Sequence, residues 1–209
     1  MRLLIFGASG KTGLHLTQQA LHKNYTVSAF VRNPQRFPIQ HNSLQIIKGN
    51  VADYDTVFQA IRNQDAVISA LGAKSPFQND RLLIQGVEHI VNAMERNAVK
   101  RLVYLSFLGV KEYRKELGFL VNYVVPLFLK KVIQDHEAKE SIIISSSLDW
   151  TIIRPPRLTN GKQTGNYRHG EHILSKSLMM KISRADLAAF MLQQVSDYQY
   201  IHQKPRVMY

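Results

Sequence analysis

The residues with the clearest chemistry stand at the start of the chain. Gly7-Ala8-Ser9-Gly10-Lys11-Thr12-Gly13 follows the apolar run Leu3-Leu4-Ile5-Phe6 and leads into a stretch of helical period carrying Leu14, Leu16 and Ala20. The three glycines have separate tasks. Gly7 lets the chain leave a strand sharply, Gly10 lets the backbone approach a pyrophosphate with no Cβ in the way, and Gly13 lets the helix sit close to the strand. Unpaired N–H groups of the first helical turn then face the anion, with the helix dipole assisting. This is the chemistry of holding a dinucleotide. Gly10-Lys11-Thr12 also looks like the end of a nucleoside-triphosphate loop, but that motif requires a glycine five positions before Gly10, where Ile5 stands.

The second apolar run, Val27 to Val31, decides between the two nicotinamide dinucleotides. An NAD site places an acidic residue after this strand to accept the ribose hydroxyls. Here Arg32 follows, then Asn33-Pro34-Gln35-Arg36. A guanidinium can take an extra phosphate in bidentate fashion, and Lys11 adds a cation nearby. The position favours NADP(H) over NAD(H), against the plainer reading of a solvated arginine at a strand end.

Elements that would position these residues can be read from periodicity. Short apolar runs at Arg2–Phe6, Thr26–Val31, Leu44–Lys48, Ala66–Ala70, Arg101–Leu105 and Trp150–Arg154 read as strands. Helices are expected at Lys11–Lys23, Asp53–Arg62, Asp80–Asn97, a long segment ending near Ser145, and Ser183–Val195. Leu83, Val87, Ile90, Val91 and Met94 mark one buried helical face by their three- and four-residue steps. Alternating strands and helices require crossovers, hence an α/β, doubly wound parallel sheet of Rossmann-like type. The 209 residues fit one such domain with small substrate-side elements towards the C-terminus. Asn160 to His172 reads as an exposed loop or hairpin that could cover the ligand end of the sheet.

Composition bounds the partners. The absence of cysteine excludes a disulfide framework and a thiolate metal site. The formal charge of +12 raises the local concentration of anions. Lys and Arg are nonetheless scattered, and the densest spot, Lys111 to Lys115, includes Glu112; no nucleic-acid stripe is expected. The longest apolar stretch, Gly118 to Leu129, holds Asn122 and Pro126 and is shorter than the roughly 20 residues of a spanning helix. Four apolar residues before the glycine turn are too few for a signal-peptide core. A cytoplasmic protein with no membrane partner is expected.

These residues support a resemblance. Gly7-x-x-Gly10-x-x-Gly13, Val31-Arg32-Asn33-Pro34, Gly49-Asn50-Val51, Asp65-Ala66-Val67-Ile68, Ala70-Leu71-Gly72, Leu102-Val103-Tyr104-Leu105-Ser106 and Leu148-Asp149-Trp150-Thr151-Ile152-Ile153-Arg154-Pro155 occur in this order along nearly the whole chain. In this order the chain resembles the atypical short-chain dehydrogenase/reductase group, in particular NAD(P)H-binding members similar to the NmrA-like proteins and the biliverdin-IXβ/flavin reductases. The resemblance implies that Gly10, Lys11 and Thr12 surround the pyrophosphate and that Arg32 and Arg36 meet the 2′-phosphate; Gly7, Ser9 and Gly13 of the same turn are further candidate cofactor-binding residues. It implies Asn50 and Val51 beside the adenine, and Ala70, Leu71 and Gly72 along the ribose and nicotinamide path. Ser106 would lie beside the nicotinamide, with Pro155 and Pro156 at its carboxamide end. Relatives in the reductase branch suggest a monomer, with a weak dimer as the alternative.

The chain also departs from the group. Its main branch pairs a Tyr with a Lys four residues on, the cation easing proton transfer from the phenol. After Ser106 the tyrosines are Tyr113 and Tyr123, with Leu at positions 117 and 127; Tyr200 to Lys204 has the spacing but falls in the last ten residues. An acceptor that delocalises charge after reduction, such as a flavin, quinone or tetrapyrrole, needs no strong built-in acid. Where relatives carry a His after the paired prolines, this chain has Arg157, which could hold an acceptor's carboxylate or phosphate or steady developing charge. The expectation is therefore an NADPH-dependent reductase of a planar small-molecule acceptor, with Ser106 and Arg157 orienting it. A non-catalytic NADP(H) sensor is the competing reading, and a nucleotide-sugar epimerase ranks third. Asp135, His136, Glu137, Lys139 and Glu140 read as a solvated face, with His136 as a proton donor the alternative. His169-Gly170-Glu171-His172 reads as solvated loop rather than metal site, and Trp150 reads as core.

Overall fold

The computed structural model describes residues 1–72, 81–109, 125–173 and 180–209, and of residues 125–130 and 132 the backbone only. Six strands form one parallel sheet: β1 (Arg2–Phe6), β2 (Thr26–Val31), β3 (Leu44–Lys48), β4 (Ala66–Ser69), β5 (Arg101–Leu105) and β6 (Asp149–Ile153). Their order is β3-β2-β1-β4-β5-β6. The helices are α1 (Lys11–His22), α2 (Tyr54–Ile61), α3 (Arg81–Arg96), α4 (Val125–Ile144) and α5 (Arg184–Ser196). The doubly wound reading of the sequence is therefore correct, with element ends shifted by one residue at most places.

Both faces of the sheet are buried, which is why its strands read as apolar runs rather than alternating ones. Leu3, Ile5, Val27, Ile68, Val103 and Ile153 point to one side, against Leu16 and Ala20 of α1 and Leu187, Phe190 and Met191 of α5. Leu4, Phe6, Val67, Leu102, Tyr104, Trp150 and Ile152 point to the other, against Val57 and Ile61 of α2, Val87, Ile90 and Met94 of α3, and Ile143 of α4. Successive strand residues alternate between the clusters, as the period of two requires. Trp150 is core.

The strand order reverses between β1 and β4, so their carboxyl ends diverge into a crevice. Ala70 N donates to Phe6 O at 2.9 Å and holds the two ends in step. The far edge of the sheet is covered by the C-terminal segment: Ile152 N donates to Gln203 O at 3.1 Å and Arg154 N to Pro205 O at 2.9 Å. Such cover removes an open edge that would otherwise invite pairing.

Four three-residue strands were not legible as strands. β7 (Arg157–Thr159) pairs in parallel with β9 (Lys181–Ser183), and β8 (Arg168–Gly170) pairs antiparallel with β10 (Arg206–Met208). This corrects the expectation of a free loop or local hairpin over Asn160 to His172: its last part is a strand whose partner is the C-terminus. Its first part is tied down by Asp186, described below.

Candidate functional site

The turn after β1 is shaped first by packing. Gly7 has φ +76°, and a Cβ there would lie 2.5 Å from Ala70 O and 2.9 Å from Leu71 N. A Cβ on Gly13 would lie 2.1 Å from Gly7 O, so only glycine lets α1 start this close to the strand. Gly10 is different: a Cβ there would find only Gly7 O, at 3.2 Å. The fold thus needs Gly7 and Gly13, while the bareness of exposed Gly10 faces the space above the turn. Gly10 is also the N-cap of α1, extended at φ −74° and ψ 162°, with no side chain capping the helix and no acid in its first turn. Its leading amides are left for an anion. Ser9 and Lys11 are exposed beside them, and Thr12 is buried beneath. These residues fit a pyrophosphate.

The end of β2 carries the cations. Arg32 and Arg36 are exposed and form no ion pair among the described residues. A short 3-10 turn, Pro34–Arg36, is anchored by buried Phe37, whose N donates to Pro34 O at 3.0 Å. Gly49 N donates to Val31 O at 3.0 Å, which sets the loop of exposed Asn50 and half-buried Val51 next to Arg32. Two residues not singled out from the sequence hold that loop. His89 Nδ1 lies 2.9 Å from Val51 O, and a Cβ on Gly86 would meet Val51 Cγ2 at 2.7 Å. Their helical period marked them only as α3.

Beyond Ala70 and half-buried Leu71, a Cβ on Gly72 would meet nothing within 4 Å among the described residues. Across the crevice, Leu108 N donates to Pro155 O at 3.0 Å, joining the loop after β5 to buried Pro155 and Pro156. Ser106, 6% exposed, ends β5 on the α4 side. Its hydroxyl donates to Glu140 of α4 in a short hydrogen bond, and His136 Nδ1 lies 3.3 Å from its oxygen. Glu140 also accepts from Arg154 at the end of β6, in a short ion pair from Nη2 and from Nε at 3.2 Å. Glu140 is 3% exposed and Arg154 6%. His136 and Glu140 share one helical face by their four-residue spacing.

The expectation of a solvated face on α4 is therefore wrong: Asp135, Lys139 and Glu140 are buried and His136 is half-buried. Sequence reasoning missed Glu140 and Arg154 because alternating charge usually marks surface. The available signal was the spacing from His136 together with an arginine directly before Pro155. Burial and the neighbouring Lys139 hold His136 well below the ordinary imidazole value, at about 3. It is neutral at neutral pH. Burial and the Glu140 charge push the phenol of Tyr104 up; it is buried, and its oxygen has no hydrogen-bond partner among the described residues.

Arg157 lies on β7, exposed, with no hydrogen bond to Ser106 among the described residues. Ser106 hydrogen-bonds to α4, whereas Arg157 sits opposite exposed Lys181 in the β7–β9 register. Tyr113 and Tyr123 lie outside the described residues. Tyr200 is buried in the cluster on the α1 side, its hydroxyl 2.9 Å from His169 Nδ1, on the opposite face from Ser106. Glu171 accepts from Lys204 N at 2.9 Å.

Asp186 fixes the loop beside this end of the site. It accepts from Thr164 N and Gly165 N, both at 2.8 Å, from Thr164 Oγ1 at 2.9 Å and from Tyr209 Oη at 2.7 Å. Ser183 caps α5 and exchanges bonds with Asp186. Burial raises the Asp186 carboxyl, but the bonds from Tyr209, Gly165 and Thr164 together outweigh it and leave it below the ordinary value.

Comparison with known proteins agrees with this geometry. Residues 7–198 match the family described as NAD(P)H-binding. The photosystem II assembly factor Ycf39 of Synechocystis is 28% identical over 160 residues, covering 74% of this chain but 44% of its own length. The chain thus spans less than half of that relative. The Bacillus subtilis protein YwnB is 25% identical over 202 residues, covering 93% of this chain and 92% of YwnB. Among solved structures, the oxidoreductase YlbE of Lactococcus lactis superposes with a TM-score of 0.83 at 21% identity, covering 99% of this chain and 90% of that one. ChuY of Escherichia coli O157:H7, described as an anaerobilin reductase, gives 0.79 at 20%, covering 99% and 96%. At such identities the structures share the fold. The glycine turn, the switch-point crevice and the match over 7–198 lead to one statement: this chain belongs to the NAD(P)H-binding family of Rossmann-like proteins.

Proposed function

We propose that the protein is an NADPH-dependent reductase that passes a hydride to a planar, conjugated small-molecule acceptor. The observation that carries this reading is the pairing at the end of β5: Ser106 meets His136 and Glu140 of α4, and in the sequence neither Tyr113 nor Tyr123 has a Lys four residues on. Without a tyrosine acid, the acceptor itself must tolerate negative charge, which extended conjugation provides. When bound, NADPH supplies the hydride from its reduced nicotinamide. The chain's own residues then hold and orient. Uncapped amides at Gly10 to Gly13 grip the pyrophosphate, and Arg32 and Arg36 take the 2′-phosphate that distinguishes NADP(H) from NAD(H). Asn50 and Val51 border the adenine, Ala70 to Gly72 line the path inward, and Pro155 and Pro156 wall the carboxamide end. Arg157, exposed and in no ion pair among the described residues, attracts an anionic group of the acceptor.

A second reading is a regulatory NADP(H)-binding protein without turnover. The observation favouring it is the similarity to Ycf39, whose name describes an assembly factor. One assay separates the two. NADPH oxidation is followed with FMN, a quinone and a biliverdin as acceptors, the protein being monomeric in this proposal. Turnover above the uncatalysed rate with one of them supports reduction; saturable NADPH binding with no turnover across the panel supports regulation.

A further inference from the structure

The hydrogen-bond directions around Ser106 fix what it can offer a ligand. Its hydroxyl has one proton and two lone pairs. Arg154 has only donors to give, and it engages both oxygens of Glu140, so that carboxylate is an acceptor. The proton in the short Ser106–Glu140 contact is therefore the serine's own. With that proton committed, the contact at 3.3 Å to His136 is satisfied only if Nδ1 carries the hydrogen and donates to Ser106 Oγ. One lone pair of the hydroxyl remains. Three elements enforce this state: β5 presents Ser106, β6 presents Arg154, and α4 lays Glu140 between them.

Resting on the reductase reading, we infer that Glu140 is a positioning residue that locks Ser106 as a hydrogen-bond acceptor, so that the site selects conjugated acceptors offering an N–H, of flavin or tetrapyrrole type, over quinones. A quinone brings only carbonyl oxygens near its reacting ring, and these would face the serine lone pair without a proton between them. An unpaired polar contact in a closed site is costly, and sites built to hydrogen-bond one ligand group reject analogues lacking it. The buried pair with Arg154 makes the lock stiff: the carboxylate cannot turn away without leaving a buried guanidinium short of its partner.

Altering Glu140 tests the direction of the bond and not merely its presence. In Glu140→Gln the amide oxygen keeps the short bond from Arg154 Nη2, and the amide N–H₂ takes the place of Oε1, giving up the longer bond from Arg154 Nε and turning a proton to Ser106. The serine then accepts from that amide and frees its own proton for the ligand. Its polarity towards the site is reversed.

The experiment measures binding to the NADP⁺-loaded protein by titration, using lumiflavin, 3-methyllumiflavin (the same ring with its N–H blocked), biliverdin and menadione. In the unaltered protein, lumiflavin or biliverdin should lose about tenfold in affinity on Ser106→Ala, whereas 3-methyllumiflavin and menadione should change less than about twofold. Glu140→Gln should shift the ratio of lumiflavin to menadione affinity by at least about tenfold towards menadione. A purely structural Glu140 would weaken all four ligands together. Equal losses for all ligands on Ser106→Ala, or a tighter hold on menadione than on both N–H-bearing ligands in the unaltered protein, overturns the inference. If Glu140→Gln does not fold, the Ser106→Ala comparison decides alone. Failure of the reductase reading looks different: the Ser106-dependent preference is present, yet NADPH is not oxidised.

Discussion

At the residue scale, the three glycines of the first turn make different demands, and substitution separates them. A Cβ on Gly13 would collide with backbone at 2.1 Å and cannot be relieved by a rotamer change. Gly13→Ala should cost about 1–3 kcal/mol, the range for overpacking a filled site, read as a lower midpoint in urea unfolding. On Gly10 the same methyl meets one backbone oxygen at 3.2 Å. Gly10→Ala should therefore leave the unfolding midpoint close to that of the unaltered protein while weakening NADPH about tenfold or more, because the methyl projects where the pyrophosphate must come. His136 gives a second prediction. Its folded-state pKa of about 3 lies below the ordinary imidazole value near 6.5, so the unfolded chain binds the extra proton first. The stabilisation is fully present above about pH 6.5 and is lost as pH falls from there towards 3. His136→Asn keeps an N–H for Ser106 but cannot titrate. Thermal melts from pH 7 to pH 4 should show a shallower decline for this variant.

At the element scale, Asp186 joins the start of α5 to the loop over Thr164 and Gly165 and to the last residue, Tyr209. Asp186→Asn keeps the shape but replaces acceptor capacity with donors facing the donors of Thr164 and Gly165. A loss of about 1–3 kcal/mol is expected, the range for leaving buried partners unsatisfied. Protection of the 160–167 amides in hydrogen exchange should fall with it. Because its carboxyl is held below the ordinary value, its contribution is present above about pH 4 and disappears as pH drops through the folded-state value. The six main strands were legible from sequence because burial on both faces leaves uninterrupted apolar runs, and α3 because its apolar step repeats over about three turns from Leu83 to Met94. β7 to β10 were not, since three residues cannot display a period. The interior of α4 was misread for another reason. Charged residues in alternation look solvated, and only the fold reveals that Glu140 is paired with Arg154, fourteen positions on and across from it at the end of β6.

At the scale of the whole molecule, the parallel sheet brings the ends of five strands to one rim. β1 supplies the glycine turn, β2 the arginines, β4 the path along Ala70 to Gly72, β5 Ser106 and β6 Arg154 with the prolines. Residues more than a hundred positions apart thus meet at one rim of the sheet. None of the described helices is long and apolar enough to cross a membrane. The net charge of +12 adds a long-range attraction for any phosphorylated dinucleotide; in the reading proposed above, selection between NADP(H) and NAD(H) comes from short contacts at the end of β2. Calorimetric titration of NADPH and NADH into the protein and into Arg32→Glu tests this most directly. The expected result is tighter binding of NADPH than NADH, with the substitution weakening NADPH by about tenfold or more and NADH by less than about threefold. Equal affinities for the two coenzymes, or an NADPH affinity indifferent to Arg32→Glu, would contradict the assignment of that crevice to NADP(H).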